Sequence, residues 1–241
     1  MPGLGSAGGK KPPASHSLAV DLADSRLLTA ALESLRESGA KPTAIVHCAA
    51  MPDLTTCQEQ LDLARKVNDQ ATGVLASFAQ INNLRMIYLS TDTVFDGSTP
   101  GSGPGGLYDE SDVPSPVNTY GATKLAGERH VAGLGPKGTS LRIALVYGRS
   151  LNASGALSAG GPAEPSASSA RSASEKLLAA ARAAVKARAG GDTAAHVKLF
   201  SDEYRTPVCV ADICTAVSEL LTMSNVPVLH LGGPERVSRF E

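Results

Sequence analysis

Two segments, 86–93 (MIYLSTDT) and 118–128 (NTYGATKLAGE), decide the fold class of this chain. The first begins with the apolar and aromatic run 86–90, which is typical of a buried strand. The second begins at Asn118, a good helix cap, and its pattern predicts a helix to about Val131. A buried strand, a loop and a helix in this order form one unit of an α/β fold.

The same alternation extends in both directions from this unit. Before it, the pattern predicts a short strand at 17–22, a helix over about 24–38, a strand at 43–48 and a long amphipathic helix at 58–82. After it, the pattern predicts a strand at 140–147, a helix ending at Gly190, a helix near 212–223 and a strand at 226–231. Short buried strands that alternate with longer helices predict a doubly wound α/β fold with a parallel sheet.

Composition divides the chain into four parts. Residues 1–16 are rich in Gly, Pro, Ser and Lys and are predicted to be a disordered tail. Residues 17–149 carry the alternating pattern, and 150–171 form a low-complexity insertion of Ser, Ala, Gly and Pro. Residues 172–241 are predicted to form a smaller second domain together with a returning helix and strand.

Charge and cysteine content exclude several classes of protein. The chain has 241 residues and a net charge of −1, so no basic surface predicts nucleic acid or an anionic membrane as partner. Its apolar runs are shorter than the roughly 18 residues that a membrane span needs. Four cysteines without C-x-x-C pairs and scattered histidines predict neither a disulfide framework nor a metal site. We expect a soluble, cytoplasmic protein.

Three residues in these segments could carry acid–base chemistry. Tyr120 and Lys124 are four residues apart on the predicted helix, so their side chains project from one face. A nearby ammonium favours phenolate, which would lower the Tyr120 pKa from its usual value of about 10. Thr91 follows the strand, at the edge of the sheet where ligands bind in such folds. The alternative interpretation is a solvated surface helix and an ordinary turn.

The ordered set of motifs resembles a known family. The chain carries HCAAMPDLTTC at 47–57, KVND at 66–69, YLSTDTVFDG at 88–97, YDESDVPSPVNTYGATKLAGE at 108–128, LRIALVYG at 141–148 and HLGGPERVSRFE at 230–241. These segments resemble the dTDP-4-dehydrorhamnose reductase family of extended short-chain dehydrogenases/reductases, with its RmlD-like substrate-binding domain. That family includes the regulatory β subunit of methionine adenosyltransferase and plant and algal relatives of the NAD(P)-binding Rossmann type.

The resemblance implies a role for each matching residue. Tyr120 would donate a proton to a substrate carbonyl that Thr91 polarises, and Lys124 would lower the Tyr120 pKa and hold the nicotinamide ribose of NADPH or NADH. The other implied cofactor contacts are Asp21 and Leu22 near the adenine, Ala49, Ala50 and Met51 in a loop over the cofactor, and Asn68 in a helix beside it. The implied substrate contacts are Thr91, Asp92, Leu145 and Arg205.

Two departures from the family pattern concern the substrate pocket. Thr93 stands where the family usually has an aromatic residue, and Leu145 stands where it usually has Trp.

The family also begins with a strand, a glycine-rich turn, a helix and a second strand ahead of the segment that matches 17–22, and it continues beyond Glu241. We therefore expect both domains to be incomplete, which puts cofactor binding in question.

Three functional interpretations follow from the resemblance. The first is an NAD(P)-dependent oxidoreductase that reduces a keto group of a nucleotide-activated sugar or a similar metabolite. The second is a regulatory subunit that binds the catalytic subunit of methionine adenosyltransferase and serves S-adenosylmethionine synthesis. The third is an inactive fragment.

Overall fold

The computed structural model of the chain describes residues 17–98, 107–148 and 173–238. The first half contains α1 (Ser25–Glu37), β1 (Ala44–His47), α2 (Leu54–Glu59), α3 (Leu61–Arg65), a π-helical turn (Lys66–Gln70), α4 (Ala71–Ile81), β2 (Arg85–Thr91) and a 3-10 turn (Asp92–Val94). The second half contains α5 (Thr119–Ala132), a 3-10 turn (Gly135–Lys137), β3 (Gly138–Ile143), β4 (Val146–Tyr147), α6 (Ala173–Ala189), β5 (Tyr204–Arg205), β6 (Val208–Cys209), α7 (Val210–Leu220), β7 (Val228–Leu231) and β8 (Val237–Ser238).

The main sheet has four parallel strands in the order β1-β2-β3-β7. In its centre Leu89 of β2 lies opposite Leu141 of β3, and Leu141 lies opposite Leu229 of β7. Strands β4 and β6 form a separate parallel pair, and β5 and β8 form an antiparallel pair. The prediction of an α/β fold with a parallel sheet is confirmed. Because all four strands run the same way, their carboxyl ends share one edge.

The two faces of the sheet are covered by different helices. Successive residues of a strand point to opposite faces, and the fully buried Met86 and Ile87 of β2 belong to different apolar clusters. Met86 packs with α4 and α5, in a cluster that includes Ala79 and Val131. Ile87 packs in a cluster that includes Ile213 of α7. Helices on both faces give the doubly wound arrangement that the alternation predicted.

The predicted strand at 17–22 is wrong. Residues 17–20 have no regular secondary structure, and Leu18 is 56% exposed. A strand needs a neighbour for its backbone hydrogen bonds, and an apolar run alone does not supply one. Asp24 instead caps α1, because its side chain accepts hydrogen bonds from the backbone N–H groups of Arg26 and Leu27.

The predicted helix at 58–82 is three helices and a π-helical turn. Asp53 starts the first helix four residues earlier than predicted, because its carboxylate accepts a hydrogen bond from the N–H of Thr56. Gln60, with φ −122° and ψ 56°, interrupts the helix. The π-helical turn at 66–70 then widens the backbone and contains the buried Asn68. Such turns are often found at functional sites.

The predicted strand at 140–147 divides at Ala144. Its first part is β3 in the main sheet, whereas Val146–Tyr147 pairs with β6. The tail 1–16 and the insertion 150–171 lie outside the described residues. Within the described parts of the chain, no helix combines the length and the apolar character that crossing a bilayer requires.

Candidate active site

A hydrogen-bonded pair of hydroxyl groups lies at the carboxyl edge of the sheet. Thr91 is the last residue of β2, and its side chain lies close to Tyr120 in the first turn of α5, where it lowers the pKa of the phenol. The Thr91 hydroxyl also accepts the N–H of Thr93 at 3.1 Å and lies 2.9 Å from the Thr93 hydroxyl. The structure thus brings together Thr91 and Tyr120, which the sequence placed on separate elements.

Local sequence explains why Tyr120 lies there. Asn118 caps α5, because its side-chain oxygen accepts the N–H of Gly121 at 2.8 Å. A Cβ atom at Gly121 would overlap the carbonyl oxygen of Thr93. Only glycine therefore lets the first turn of α5 approach the turn that follows β2 so closely.

Lys124 is buried on the same helix, with 1% of its surface exposed. Its Nζ donates a hydrogen bond of 2.6 Å to the carbonyl oxygen of Leu89 and lies 3.9 Å from the centre of the Tyr88 ring. Burial lowers the Lys124 pKa to about 7, although the charges of Glu128 and Cys48 act in the opposite direction. The buried ammonium is held by a carbonyl group and an aromatic face.

The predicted lowering of the Tyr120 pKa is wrong in this structure. Burial raises the pKa of Tyr120 to about 12, and the negative charges of Asp92 and Cys57 act in the same direction. The nearby Thr91 hydroxyl lowers the pKa of Tyr120 but does not outweigh burial. Lys124 does not offset this effect, because its ammonium bonds with Leu89 and lies over Tyr88.

Asn68 ties a loop at the same edge to α5. Its side-chain oxygen accepts the N–H of Met51 at 2.8 Å, and its amide donates to the carbonyl oxygen of Met51 at 3.2 Å. The same amide donates to the Thr123 hydroxyl at 3.1 Å. The loop that contains Ala49, Ala50 and Met51 follows β1, so it lies at the carboxyl edge of the sheet and is joined to α5 through Asn68.

Asp21 and Leu22 belong to a different part of the structure. They lie in the turn before α1, where the Asp21 carboxylate accepts the N–H of Ala23 at 2.9 Å. This contact stabilises the turn itself. The structure does not include these two residues in the hydrogen-bonded group around Tyr120.

A cavity of about 680 Å³ adjoins the end of β2. Asp92 and Arg205 both line it and form an ion pair of 2.8 Å, and Arg205 also contacts Glu203 at 3.2 Å. Burial alone would lower the pKa of the Arg205 guanidinium, but these two carboxylates raise it above its ordinary value. Leu145 is not part of the cavity wall; its carbonyl oxygen accepts the N–H of Val208 at 2.9 Å.

Residues 6–156 match the family described as the RmlD substrate binding domain. The chain belongs to this family. The resemblance to dTDP-4-dehydrorhamnose reductases and the β subunit of methionine adenosyltransferase, which the sequence motifs indicated, is confirmed as similarity within this family. The match contains β1 to β4 and therefore the elements that carry Thr91, Tyr120 and Lys124.

Known members and solved structures resemble the chain to different extents. A probable low-salt glycan biosynthesis reductase of Haloferax volcanii is 30% identical over 194 residues, which are 80% of this chain and 55% of the relative. Methionine adenosyltransferase 2 subunit beta of Rattus norvegicus is 42% identical over 108 residues, which are 45% of this chain and 30% of that protein. The dTDP-4-dehydrorhamnose reductase of Bacillus anthracis, solved in complex with NADP, has a TM-score of 0.65 and 23% identity, covering 91% of this chain and 64% of that one. The chain thus spans about half the length of the first of these relatives.

One group in this RmlD-family chain was missed by the sequence interpretation. Glu128 and Arg142 form a buried ion pair of 2.8 Å, and Ser90 donates to the Glu128 carboxylate at 2.5 Å. Arg142 and His230 also line the cavity. The spacing of Lys124 and Glu128, four residues apart on one helix, was the only signal for this group in the sequence.

Proposed function

We propose that the protein is an NAD(P)-dependent reductase of a keto group on a nucleotide-activated sugar or a similar metabolite. The observation that carries this proposal is that the Thr91 hydroxyl, at the carboxyl edge of β2, lies close enough to Tyr120 to act on the pKa of its phenol. Two hydroxyl groups that meet at this edge can both approach one carbonyl oxygen. The names of the Haloferax and Bacillus relatives, both reductases, support the same reaction class.

The described residues fit the nicotinamide end of the cofactor. An ammonium has three donors, and Lys124 uses one of them on Leu89, so further donors remain for ribose hydroxyl groups. Ala49, Ala50 and Met51 would pass over the cofactor, held by the two hydrogen bonds between Met51 and Asn68. NADPH or NADH, when bound, would supply a hydride to the carbonyl carbon.

Tyr120 would supply the proton in this reaction. Because burial raises its pKa to about 12, the phenol holds a proton to donate at neutral pH, and a pKa nearer the working pH would make it a stronger acid. The proton would pass from Tyr120 to the carbonyl oxygen as the hydride reaches the carbon, which yields the alcohol and a phenolate. Thr91 would stabilise the oxygen and then the phenolate by hydrogen bonding, and solvent would return the proton.

The test is turnover by Tyr120→Phe. With a nucleotide-linked 4-keto sugar, oxidation of NADPH or NADH followed by absorbance should fall by about 100-fold or more, the usual contribution of a general acid. Tyr147→Phe, at a 43% exposed tyrosine of β4, is the matched control and should keep wild-type turnover. Equal rates for Tyr120→Phe and wild type would exclude Tyr120 as the acid.

Cofactor binding can be tested apart from turnover. A ligand that binds only the native state raises the melting temperature, so NADPH or NADH should raise it for the wild-type chain. Thermal melting with and without each nucleotide also distinguishes NADP from NAD preference. A cooperative melt that neither nucleotide shifts would contradict cofactor binding, and the lack of any cooperative melt would favour the inactive fragment.

A second candidate function is regulatory. The 42% identity with the β subunit of methionine adenosyltransferase over 108 residues favours binding to a methionine adenosyltransferase catalytic subunit. This candidate predicts association at micromolar concentration and altered kinetics of the adenosyltransferase. If the purified proteins do not associate at that concentration, the candidate is excluded.

A further inference from the structure

Helix α5 is fastened to β2 by three side chains on one face. Residues four apart on a helix share a face, and three such residues lie against three consecutive residues of β2, two of them through hydrogen bonds. The pairs are Tyr120 with Thr91, Lys124 with Leu89 and Glu128 with Ser90. The proposed reaction uses the first two pairs, and it gives no role to the third.

The third pair is part of a fully bonded buried group. Glu128 is 5% exposed, and its carboxylate accepts the Ser90 hydroxyl at 2.5 Å. Arg142 donates to both carboxylate oxygens, through Nε at 3.0 Å and Nη2 at 2.8 Å. A buried carboxylate needs such partners to remain charged, and a two-point contact with arginine also fixes its direction.

Arg142 holds the carboxylate from the side of the cavity. Its Nη1 lies 3.3 Å from Nε2 of His230, which must accept because a guanidinium only donates. Its guanidinium carbon lies 5.2 Å from the centre of the Phe95 ring. Phe95 and His230 both line the cavity, so the contacts that hold Glu128 reach its wall.

We propose that Glu128, clamped by Arg142 and Ser90, is a positioning residue that keeps the Lys124 side chain charged and aligned on β2. This inference rests on the proposed function, in which Lys124 holds the ribose of the cofactor. Glu128 touches neither of the groups that react, and it acts through Lys124.

The charges that face Lys124 support this assignment. Burial lowers the Lys124 pKa to about 7, and Glu128 and then Cys48 raise it. Burial raises the Cys48 pKa above its usual value, so this thiol is neutral at pH 7. His47 is neutral as well, because burial and the charge of Lys124 lower its pKa to about 4, and burial raises the pKa of Tyr88. Among these neighbours, the ion-paired Glu128 is therefore the anion at neutral pH.

The experiment is a direct titration of the Lys124 amine. NMR of protein with isotope-labelled lysine follows the amine of the free chain, and Lys124→Met identifies its signal. Glu128→Gln should lower the Lys124 midpoint by about one pH unit or more, the usual effect of removing a close opposite charge. Glu219→Gln, at an exposed position of α7, is the matched control and should leave the midpoint unchanged. Glu128→Asp keeps the charge and should restore most of the midpoint.

Glu128→Gln could fail to fold because it leaves Arg142 buried without its partner. The double variant Glu128→Met with Arg142→Met avoids this, since apolar residues of similar volume often replace a buried ion pair without loss of stability. The double variant removes the Arg142 charge together with the Glu128 charge, so its midpoint should lie between those of Glu128→Gln and wild type. An unchanged midpoint in a folded variant without Glu128 would overturn the inference. The titration needs neither nucleotide nor turnover, so a chain that lacks reductase activity but shows the shift contradicts only the proposed function.

Discussion

Replacing Lys124 by Met should abolish a rise in stability with pH that the wild-type chain shows above neutrality. The buried amine has a pKa of about 7 in the folded chain and 10.5 as an ordinary lysine. Between these values the unfolded chain binds more protons than the folded chain, so the free energy of unfolding increases with pH. Each unit of pKa difference corresponds to about 1.4 kcal/mol. The rise from pH 7 to pH 8.5 should therefore be about 2 kcal/mol, because the folded amine is only half-protonated at the start.

Urea unfolding followed by circular dichroism at pH 7, 7.5, 8 and 8.5 measures this rise. This window lies above most of the titration of His47 and below most of that of the cysteines, so changes in these groups when the Lys124 charge is removed add little to the measured rise. Lys124→Met should show a nearly flat free energy of unfolding, whereas Lys186→Met, at an exposed position of α6, should retain the wild-type rise. A Lys124→Met variant with an undiminished rise would refute the claim that burial displaces this amine's titration.

Three further predictions concern the surroundings of the site. Gly127→Ala should lower stability by about 1–3 kcal/mol, because its Cβ would overlap the Tyr88 hydroxyl, and an unchanged urea midpoint would contradict this packing. Arg142→Met should cost about 3–5 kcal/mol of unfolding free energy, because it leaves the Glu128 carboxylate buried without its partner. A loss below 1 kcal/mol would mean that water reaches the carboxylate. Stability should also fall as the pH drops from 6.5 towards 4, since the unfolded chain then protonates His47 while the folded chain does not. NMR titration of the imidazole should find the low pKa in the folded chain, and an ordinary value near 6.5 would contradict the burial argument.

Local sequence signals were sufficient to predict β2, α5 and the place of Thr91 and Tyr120. Asn118 caps α5 at the position that the sequence pattern predicted, and β2 ends in residues with hydroxyl groups, also as predicted. The burial of a side chain and its contacts with distant parts of the chain could not be predicted from such local signals. Burial of Tyr120 decides the direction of its pKa, and burial depends on how α5 packs. The partners of Glu128 lie on other strands, so its spacing from Lys124 alone could not identify them.

The substrate contacts implied by the family resemblance also look different once the structure is known. Asp92 and Arg205 were each expected to contact substrate, yet they bond with each other at 2.8 Å on the cavity wall. A ligand that used either residue would therefore exchange an existing ion pair for a new contact. The exchange keeps both charges partnered, because the substrate groups replace the contacts that Asp92 and Arg205 give up to each other. A negatively charged substrate group that bonds with Arg205 would release the Asp92 carboxylate, which is then available to accept hydrogen bonds from substrate hydroxyl groups. A substrate with both an anion and a hydroxyl group at a fixed separation would thus be favoured, because an anion alone would take the ion-pair partner from Asp92 without replacing it, whereas Arg205 keeps its contact with Glu203.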